Sequence, residues 1–243
     1  MKKPIDKNKG LQNKSSHTKN VARIKHKNAS ALSQDNPQNI ISDNLGDVID
    51  DKPQVICVVS GVVITPEHHG ILRFMLKNDE CILGLTSKFQ KNAVYMILTV
   101  QNIKALQKQG VSALGDMFSS MTDDILANLP QTLCALYEKK ICGGLGFALK
   151  AKKALIGQRA IERKMINFPN SIGGLLIADG ASTDIATKIQ ALGTNIRVIK
   201  DFPVKWLQNL TAREKIAYFA LIKTGMNHNI YDDYALYCAI SKI

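Results

Sequence analysis

Aromatic residues are scarce in this 243-residue chain, and its first part has none. Phe, Trp and Tyr make up 6% of the sequence, and residues 1–52 contain none of them. Residues 1–30 carry a net charge of +8, whereas residues 31–52 carry a net charge of −4. Such a segment cannot bury enough apolar surface to offset the entropy of ordering it. We therefore predict a disordered tail over residues 1–52, which either touches nucleic acid or only keeps the chain soluble.

Long apolar runs and paired cysteines are also missing. The longest apolar stretch, residues 55–64, is far shorter than the roughly 20 residues that a membrane-spanning helix needs. The first residues lack the apolar core of a secretory signal. The five cysteines form no CxxC pair, which is typical of a reducing cytosol and argues against a structural zinc site. These absences predict a cytoplasmic protein with no membrane partner and no metal.

Positive charge is what the chain has in excess. Lys and Arg number 32 against 20 acidic residues, which gives a net charge of +12. A balance this basic suggests a polyanionic partner, although it says nothing about fold. Most of the excess outside the tail lies in residues 139–164, whose net charge is +7.

The region after the tail begins with short elements separated by turn residues. Ser60-Gly61 and Asn78-Asp79 are typical of turns. The expected elements are strands over residues 55–59, 71–76 and 81–85, an apolar run over residues 93–100 and a helix over residues 102–109. Residues 112–129 have helical spacing closed by Pro130, which indicates a connecting helix or an ordered linker.

The second half alternates helices and strands. The expected elements are helices over residues 133–150, 158–166, 182–192 and 203–208 and strands over residues 173–178, 196–199 and 216–222. Glycines at 143, 144 and 146 are expected to interrupt the first of these helices. This alternation predicts a three-layer α/β/α domain with a mixed sheet. The predicted organisation is a tail over 1–52, an α+β domain over 53–111, a helical linker over 112–132 and the α/β/α domain over 133–243.

One motif set lies near the start of the α+β domain. Cys57-x-x-Ser60-Gly61 is followed by Pro66 and Leu72-Arg73-Phe74, and residues 88–96 contain a loop and an apolar strand. This order resembles the opening of the YlxR family of small bacterial RNA-binding proteins. That family carries Lys-Leu-Pro-Gly-Arg-Gly before the strand. Its Gly-Arg-Gly is Lys91-Asn92-Ala93 here, which predicts weaker and less specific RNA binding than a typical member shows.

A second motif set lies in residues 144–222. It comprises Gly146-Phe147-Ala148, Gly157 at a helix start and Leu175-Leu176-Ile177-Ala178-Asp179. It resembles the kink-turn-binding ribosomal protein superfamily, whose Gly-x-Asn-Glu is Gly157-Gln158-Arg159-Ala160 here. Many alphaproteobacterial proteins join a YlxR-type domain to such a domain in this order. The resemblance implies a cytoplasmic role with ribosomal or other structured RNA in translation, ribosome assembly or RNA processing, with ribosome or ribonuclease components as further partners.

Basic residues collect around the helix start expected at Gly157. The free N–H groups and positive dipole end of such a helix receive phosphate, and Lys152 and Lys153 lie shortly before it in the sequence. The expected RNA-contacting residues are Arg73, Lys88, Lys91, Lys150, Lys152, Lys153, Gly157, Gln158, Arg159, Arg163 and Lys164. The alternative for the basic stretch is a solvated surface. For Arg73 it is an ion pair with Glu67 or Asp79.

The sequence holds no catalytic constellation. The glycines at 143, 144 and 146 lack the Lys-Ser/Thr of a phosphate-binding loop, so we expect them to let two helices, or a helix and a sheet, pack closely. His68-His69 has no further ligand nearby and reads as an exposed turn. Asp179 ends a strand, a position where catalytic acids occur. Gly180 and Ser182 after it are explained sufficiently by a turn and a helix cap.

The resulting prediction is a non-enzymatic bacterial RNA-binding protein without catalytic residues, cofactor or metal. Three alternatives stay open. The first is a protein-interaction module that has lost RNA binding. The second is a DNA-binding, nucleoid-associated protein, because phosphate contacts alone do not distinguish the two nucleic acids. The third is an RNA-modifying enzyme, which would need a cofactor pocket.

Overall fold

The computed structural model describes residues 54–65, 67–191, 196–224 and 227–243. The tail predicted over residues 1–52, Pro66 of the YlxR-like motif and the helix end predicted at residues 192–193 lie outside the described residues. The described residues belong to one compact unit. The domain boundaries expected near residues 111 and 132 stay a prediction.

The first sheet is antiparallel and has three strands in the order β2-β1-β3. Its strands are β1 Ile71–Lys77, β2 Glu80–Leu85 and β3 Val94–Ile97. Asn78 and Asp79 make the turn between β1 and β2 with φ angles of 52° and 61°, a conformation that Asn and Asp tolerate better than most residues. The strands and the turn predicted here are confirmed.

The strand expected over residues 55–59 is reduced to two isolated bridges. Ile56 pairs with Val63, and Cys57 pairs with Tyr95 of β3. The chain reverses at Gly61, whose φ is 68° and whose N–H donates to the Cys57 carbonyl at 2.9 Å. Because the reversal follows Cys57 so closely, no longer ladder forms.

A series of helices and turns connects the two sheets. Its members are α1 Val100–Gln109, the 3₁₀ turns Val111–Leu114 and Asp116–Phe118, α2 Asp124–Ala127 and α3 Leu129–Lys150. Leu114, Phe118 and Leu126 are buried, so the segment expected as a connecting helix or ordered linker forms part of the core. Pro130 does not close a helix but lies in the first turn of α3, where its missing N–H costs nothing.

The glycines of α3 do not interrupt it, and the predicted break is wrong. A Cβ on Gly144 would lie 3.4 Å from Ile230 of the last helix, and a Cβ on Gly146 would lie 3.3 Å from Leu210. Close packing of neighbouring helices therefore compensates for the poor helix propensity of glycine. The packing role expected of these glycines is confirmed for Gly144 and Gly146, whereas Gly143 faces open space.

The second sheet has four strands in the order β4-β7-β5-β6. The remaining elements are β4 Ala154–Ile156, α4 Gln158–Asn167, β5 Ile172–Ala178, α5 Asp184–Ala191, β6 Arg197–Phe202, α6 Val204–Thr211, β7 Tyr218–Ile222 and α7 Asn227–Ile240. β5 and β6 are parallel, and the other two pairs are antiparallel. The mixed sheet predicted from the alternation is confirmed.

Helices cover both faces of this sheet. Ile161 of α4 and Ile185 of α5 pack against Leu175 and Ile177 on one face. Leu176 and Phe219 face a larger apolar cluster that contains buried residues of α3, α6 and α7 and also of the first sheet. The chain is therefore a mixed α/β protein with helices on either side of a four-stranded sheet. No helix among the described residues is long and apolar enough to cross a membrane.

Candidate nucleic-acid interface

The segment β4–α4–β5 determines where the basic residues lie. β4 and β5 run in the same direction, because each pairs antiparallel with β7 between them. α4 connects the end of β4 to the start of β5, so it runs back along the sheet over about 15 Å. Its N-terminus therefore lies near the end of β4, and its C-terminus lies near the starts of β4 and β5.

Backbone hydrogen bonds align the starts of β4 and β5 with the end of β7, beside the C-terminus of α4. The Lys153 carbonyl, just before β4, accepts the Ile222 N–H of β7 at 2.9 Å. The Lys223 N–H, just after β7, donates to the Ser171 carbonyl, just before β5, at 2.7 Å. Ser171 in turn donates its N–H to the Phe168 carbonyl at 3.0 Å, which connects this edge to the end of α4.

The backbone places five lysines at or next to this edge of the sheet. Lys150 ends α3, Lys152 and Lys153 precede β4, Lys164 lies in the last turn of α4, and Lys223 follows β7. Their Nζ groups are carried by three different layers of the fold. We call these five residues the lysine end.

The lysine end has no neutralising partner within the described residues. Four of its lysines are exposed and Lys164 is half-buried. The ion pairs between described residues involve other cations: His69, Lys140 and Arg197. The segments that form this edge lie within residues 139–178 and 215–224, whose one acidic residue is Glu162. The Glu162 carboxylate accepts the Gln158 side chain at 2.9 Å. The positive potential here is therefore available to an external anion.

Two exposed aromatic side chains adjoin the lysine end. Phe147 of α3 is 58% exposed and lies three residues before Lys150. Phe168, directly after α4, is 57% exposed, and the Lys164 Nζ lies 4.1 Å from its ring centroid. Sequence reasoning did not assign Phe147, Phe168 or Lys223 to the site. The sequence does show that Phe168 and Lys223 each follow shortly after an expected element in a basic part of the chain. That position could have indicated a role in the site.

The start of α4 forms a separate basic position. Gly157 precedes the helix with a φ of 87° and gives no side-chain cap, while its N–H donates to the Tyr218 carbonyl at 2.9 Å. Gln158 donates to Glu162 at 2.9 Å. Arg159 is exposed one turn before the exposed Arg163, so these two arginines lie on one outer strip of the helix.

Lys152 and Lys153 do not lie beside this helix start, which corrects the expectation from the sequence. The three residues of β4 separate Lys153 from Gly157, and the four extended steps between their Cα atoms span about 13 Å. The structure brings Lys150, Lys152, Lys153 and Lys164 together. It leaves Gly157, Gln158 and Arg159 at the opposite end of α4.

Arg73, Lys88 and Lys91 form a third group on the first sheet. Arg73 points away from the buried Leu72 and Phe74, as expected, and its Nη1 donates to the Gln90 Oε1 at 2.7 Å. Its partner is thus an amide and not Glu67 or Asp79. Lys88 and Lys91 are exposed on the loop between β2 and β3.

His69 is exposed in a turn, as expected, but it also lies beside an acidic residue. The His69 Nε2 lies 3.5 Å from the Asp233 Oδ1, which also receives the Lys140 Nζ at 2.8 Å. Asp233 is 3% exposed, and its buried carboxylate largely neutralises the charge of Lys140. Lys140 is therefore not available to bind an external anion. Burial, with the Asp233 charge adding to it, raises the pKa of the neighbouring Tyr137. No group of three metal-binding side chains occurs among the described residues.

Asp179 lies at the carboxyl end of β5, beside a cavity of about 340 Å³ that Glu214 and Lys215 also line. It is exposed, and its N–H donates to the Phe202 carbonyl at 2.9 Å. The Ser182 Oγ accepts the Asp184 N–H at 3.1 Å, which confirms the expected helix cap. The turn and the cap account for the local geometry.

Comparison with known proteins found no family model that matches this chain and no curated protein that resembles it.

Proposed function

We propose that this chain is a non-enzymatic, cytoplasmic RNA-binding protein that holds the phosphate backbone of RNA at its lysine end. One observation supports this proposal most strongly. Five lysines lie at one edge of the second sheet, and none of them forms an ion pair with an acidic residue among the described residues. Such a cluster binds phosphates by Coulomb attraction and by release of the counterions that surround the nucleic acid.

The other basic groups supply additional contacts in this proposal. Arg159 and Arg163 present planar guanidinium groups, which bind phosphate through two parallel hydrogen bonds. Arg73 keeps its Gln90 contact, whereas Lys88 and Lys91 add exposed charge on the first sheet. These contacts position RNA without reading its sequence.

The resemblances to the YlxR and kink-turn-binding families support RNA as the polyanion. They favour ribosomal or other structured RNA as the target and ribosome or ribonuclease components as partners. Translation, ribosome assembly or RNA processing would then be the process that this protein assists.

The test compares the full chain with a charge-reversed variant, Lys152→Glu/Lys153→Glu/Lys223→Glu. The matched control, Lys104→Glu/Lys108→Glu/Lys242→Glu, changes net charge equally at exposed lysines outside the lysine end. Binding to a kink-turn RNA, an unrelated RNA hairpin and duplex DNA is measured by fluorescence anisotropy. Each phosphate contact contributes about 0.7 log units near 0.1 M salt, so the first variant should weaken RNA binding about 100-fold.

Three results would contradict the proposal. Equal losses in the two variants would show a general effect of net charge and no site. Tighter binding to duplex DNA than to both RNAs would favour the nucleoid-associated alternative. An absence of nucleic-acid binding would favour the protein-interaction alternative, especially if a protein partner stays bound after nuclease treatment.

A further inference from the structure

Phe168 is exposed although its ring offers a large apolar surface to water. The apolar side of α4 is already filled by Ile161 and Met165, which are fully buried. Phe168 lies beyond the last turn of the helix and takes no part in either apolar cluster of the core. Leaving a ring in water has an unfavourable free energy, which a flat ligand would remove by covering the ring.

The backbone holds Phe168 in a fixed position. Its N–H donates to the Lys164 carbonyl at 2.8 Å, and its carbonyl accepts both the N–H of Ser171 at 3.0 Å and the Ser171 Oγ at 2.8 Å. Pro169 follows and restricts the chain further. A ring on such a turn loses little conformational entropy when it binds a ligand.

A lysine cation lies against the ring. The Lys164 Nζ lies 4.1 Å from the ring centroid, and the Ser171 carbonyl that accepts the Lys223 N–H lies three residues along the chain. An aromatic face beside lysines matches a nucleotide, whose base stacks while its phosphate meets a cation. A protein ligand would need a wider apolar surface, and here the ring follows a helix end that carries Arg163 and Lys164.

We infer that Phe168 is a base-stacking platform and that the lysine end takes unpaired RNA nucleotides, such as those of a loop, bulge or single strand. The bases of a duplex are stacked on each other and offer only their edges, so they cannot cover the ring. This inference rests on the proposed function and specifies which form of RNA the site accepts. Phe147 of α3, three residues before Lys150, is a second exposed ring.

The test uses the full chain with two labelled RNAs of equal length, a ten-nucleotide oligouridine and a blunt RNA duplex. Phe168→Ala removes the ring, whereas Ile166→Ala removes an apolar side chain that is 74% exposed near the same helix end but has no aromatic face. Stacking on one base is worth about 5- to 150-fold in affinity. Phe168→Ala should therefore weaken oligouridine binding by that factor and leave duplex binding unchanged, and Ile166→Ala should change neither.

A third variant, Phe168→Trp, gives a direct signal. It keeps the stacking face, so oligouridine should bind as in the natural chain and should quench the new indole fluorescence. The native Trp206 is 8% exposed and supplies a constant background. Circular dichroism melts of all three variants check that the fold is unchanged.

The outcomes separate this inference from the proposed function. If the natural chain binds oligouridine and Phe168→Ala binds it equally well, the inference is wrong while RNA binding stands. If Phe168→Ala and Ile166→Ala lose binding to the same extent, the surface is merely apolar and the inference is again wrong. If the natural chain binds neither RNA, the proposed function fails and the stacking role with it.

Discussion

The Tyr231 ring of α7 fills the place that a side chain on Gly174 of β5 would take. This contact allows a stringent test of the packing between the sheet and α7. A Cβ on Gly174 would overlap the Tyr231 Oη and Cζ and would lie 2.9 Å from its Cε2. Gly174→Ala must therefore displace a phenol ring that is 7% exposed. The substitution should destabilise the protein strongly.

The magnitude follows from two opposing effects. Overpacking of a core costs about 1–3 kcal/mol, and complete loss of a buried ring costs about 3–5 kcal/mol. Replacing glycine by alanine restricts the unfolded chain and returns about 0.4–1 kcal/mol. We expect Gly174→Ala to lower the free energy of unfolding by about 2–4 kcal/mol, measured by urea denaturation with circular dichroism.

Second-site variants identify the cause. Tyr231→Phe leaves Cζ in place and should not rescue Gly174→Ala, whereas Tyr231→Leu removes all three overlapping atoms and should rescue most of the loss. The coupling energy of the Gly174–Tyr231 cycle should then be about 2 kcal/mol. Tyr231→Phe alone should be nearly neutral, because the buried hydroxyl has no hydrogen-bond partner among the described residues. The reasoning would be refuted if Gly174→Ala lowered the free energy of unfolding equally in the natural chain and in Tyr231→Leu.

Two further predictions concern the polar and thiol groups of α3 and α7. Asp233→Asn should lower the free energy of unfolding by about 1–2 kcal/mol in urea denaturation, because the buried carboxylate accepts Lys140 at 2.8 Å. Lys140→Met should cost more, because it leaves that buried carboxylate without its cation, and a smaller cost for Lys140→Met would contradict this. Burial raises the pKa of the Cys142 thiol to about 11, so at pH 8 nearly all of it stays protonated and unreactive. Its alkylation rate, followed by mass spectrometry, should rise about tenfold per pH unit up to pH 10, and a plateau near pH 9 would show an ordinary thiol.

The order of elements in the second sheet is largely predictable, because apolar strands and amphipathic helices alternate with clear turn residues between them. The last helix, α7, is not. Its buried positions include Tyr231, Asp233 and Tyr234, whose polar groups hide the period of its inner face. The continuity of α3 through Gly144 and Gly146 is also invisible in the sequence, since α6 and α7 provide the packing that allows it.

The candidate site is predictable only in composition. Residues 139–164 are visibly basic, but proximity in sequence places Lys152 and Lys153 next to Gly157, whereas β4 carries them to the other end of α4. Lys223 joins the group through the register of β4 with β7, which pairs positions almost 70 residues apart. Long-range pairing of this kind has no local signature.

The most direct test of the account is the salt dependence of RNA binding. The logarithm of the affinity for a single-stranded RNA is plotted against the logarithm of the salt concentration for the natural chain and for Lys152→Glu/Lys153→Glu/Lys223→Glu. If these lysines neutralise phosphates, the slope of the variant should be shallower by about 2, since each lost contact removes roughly 0.7. Parallel slopes would show that the lysine end does not hold the RNA backbone.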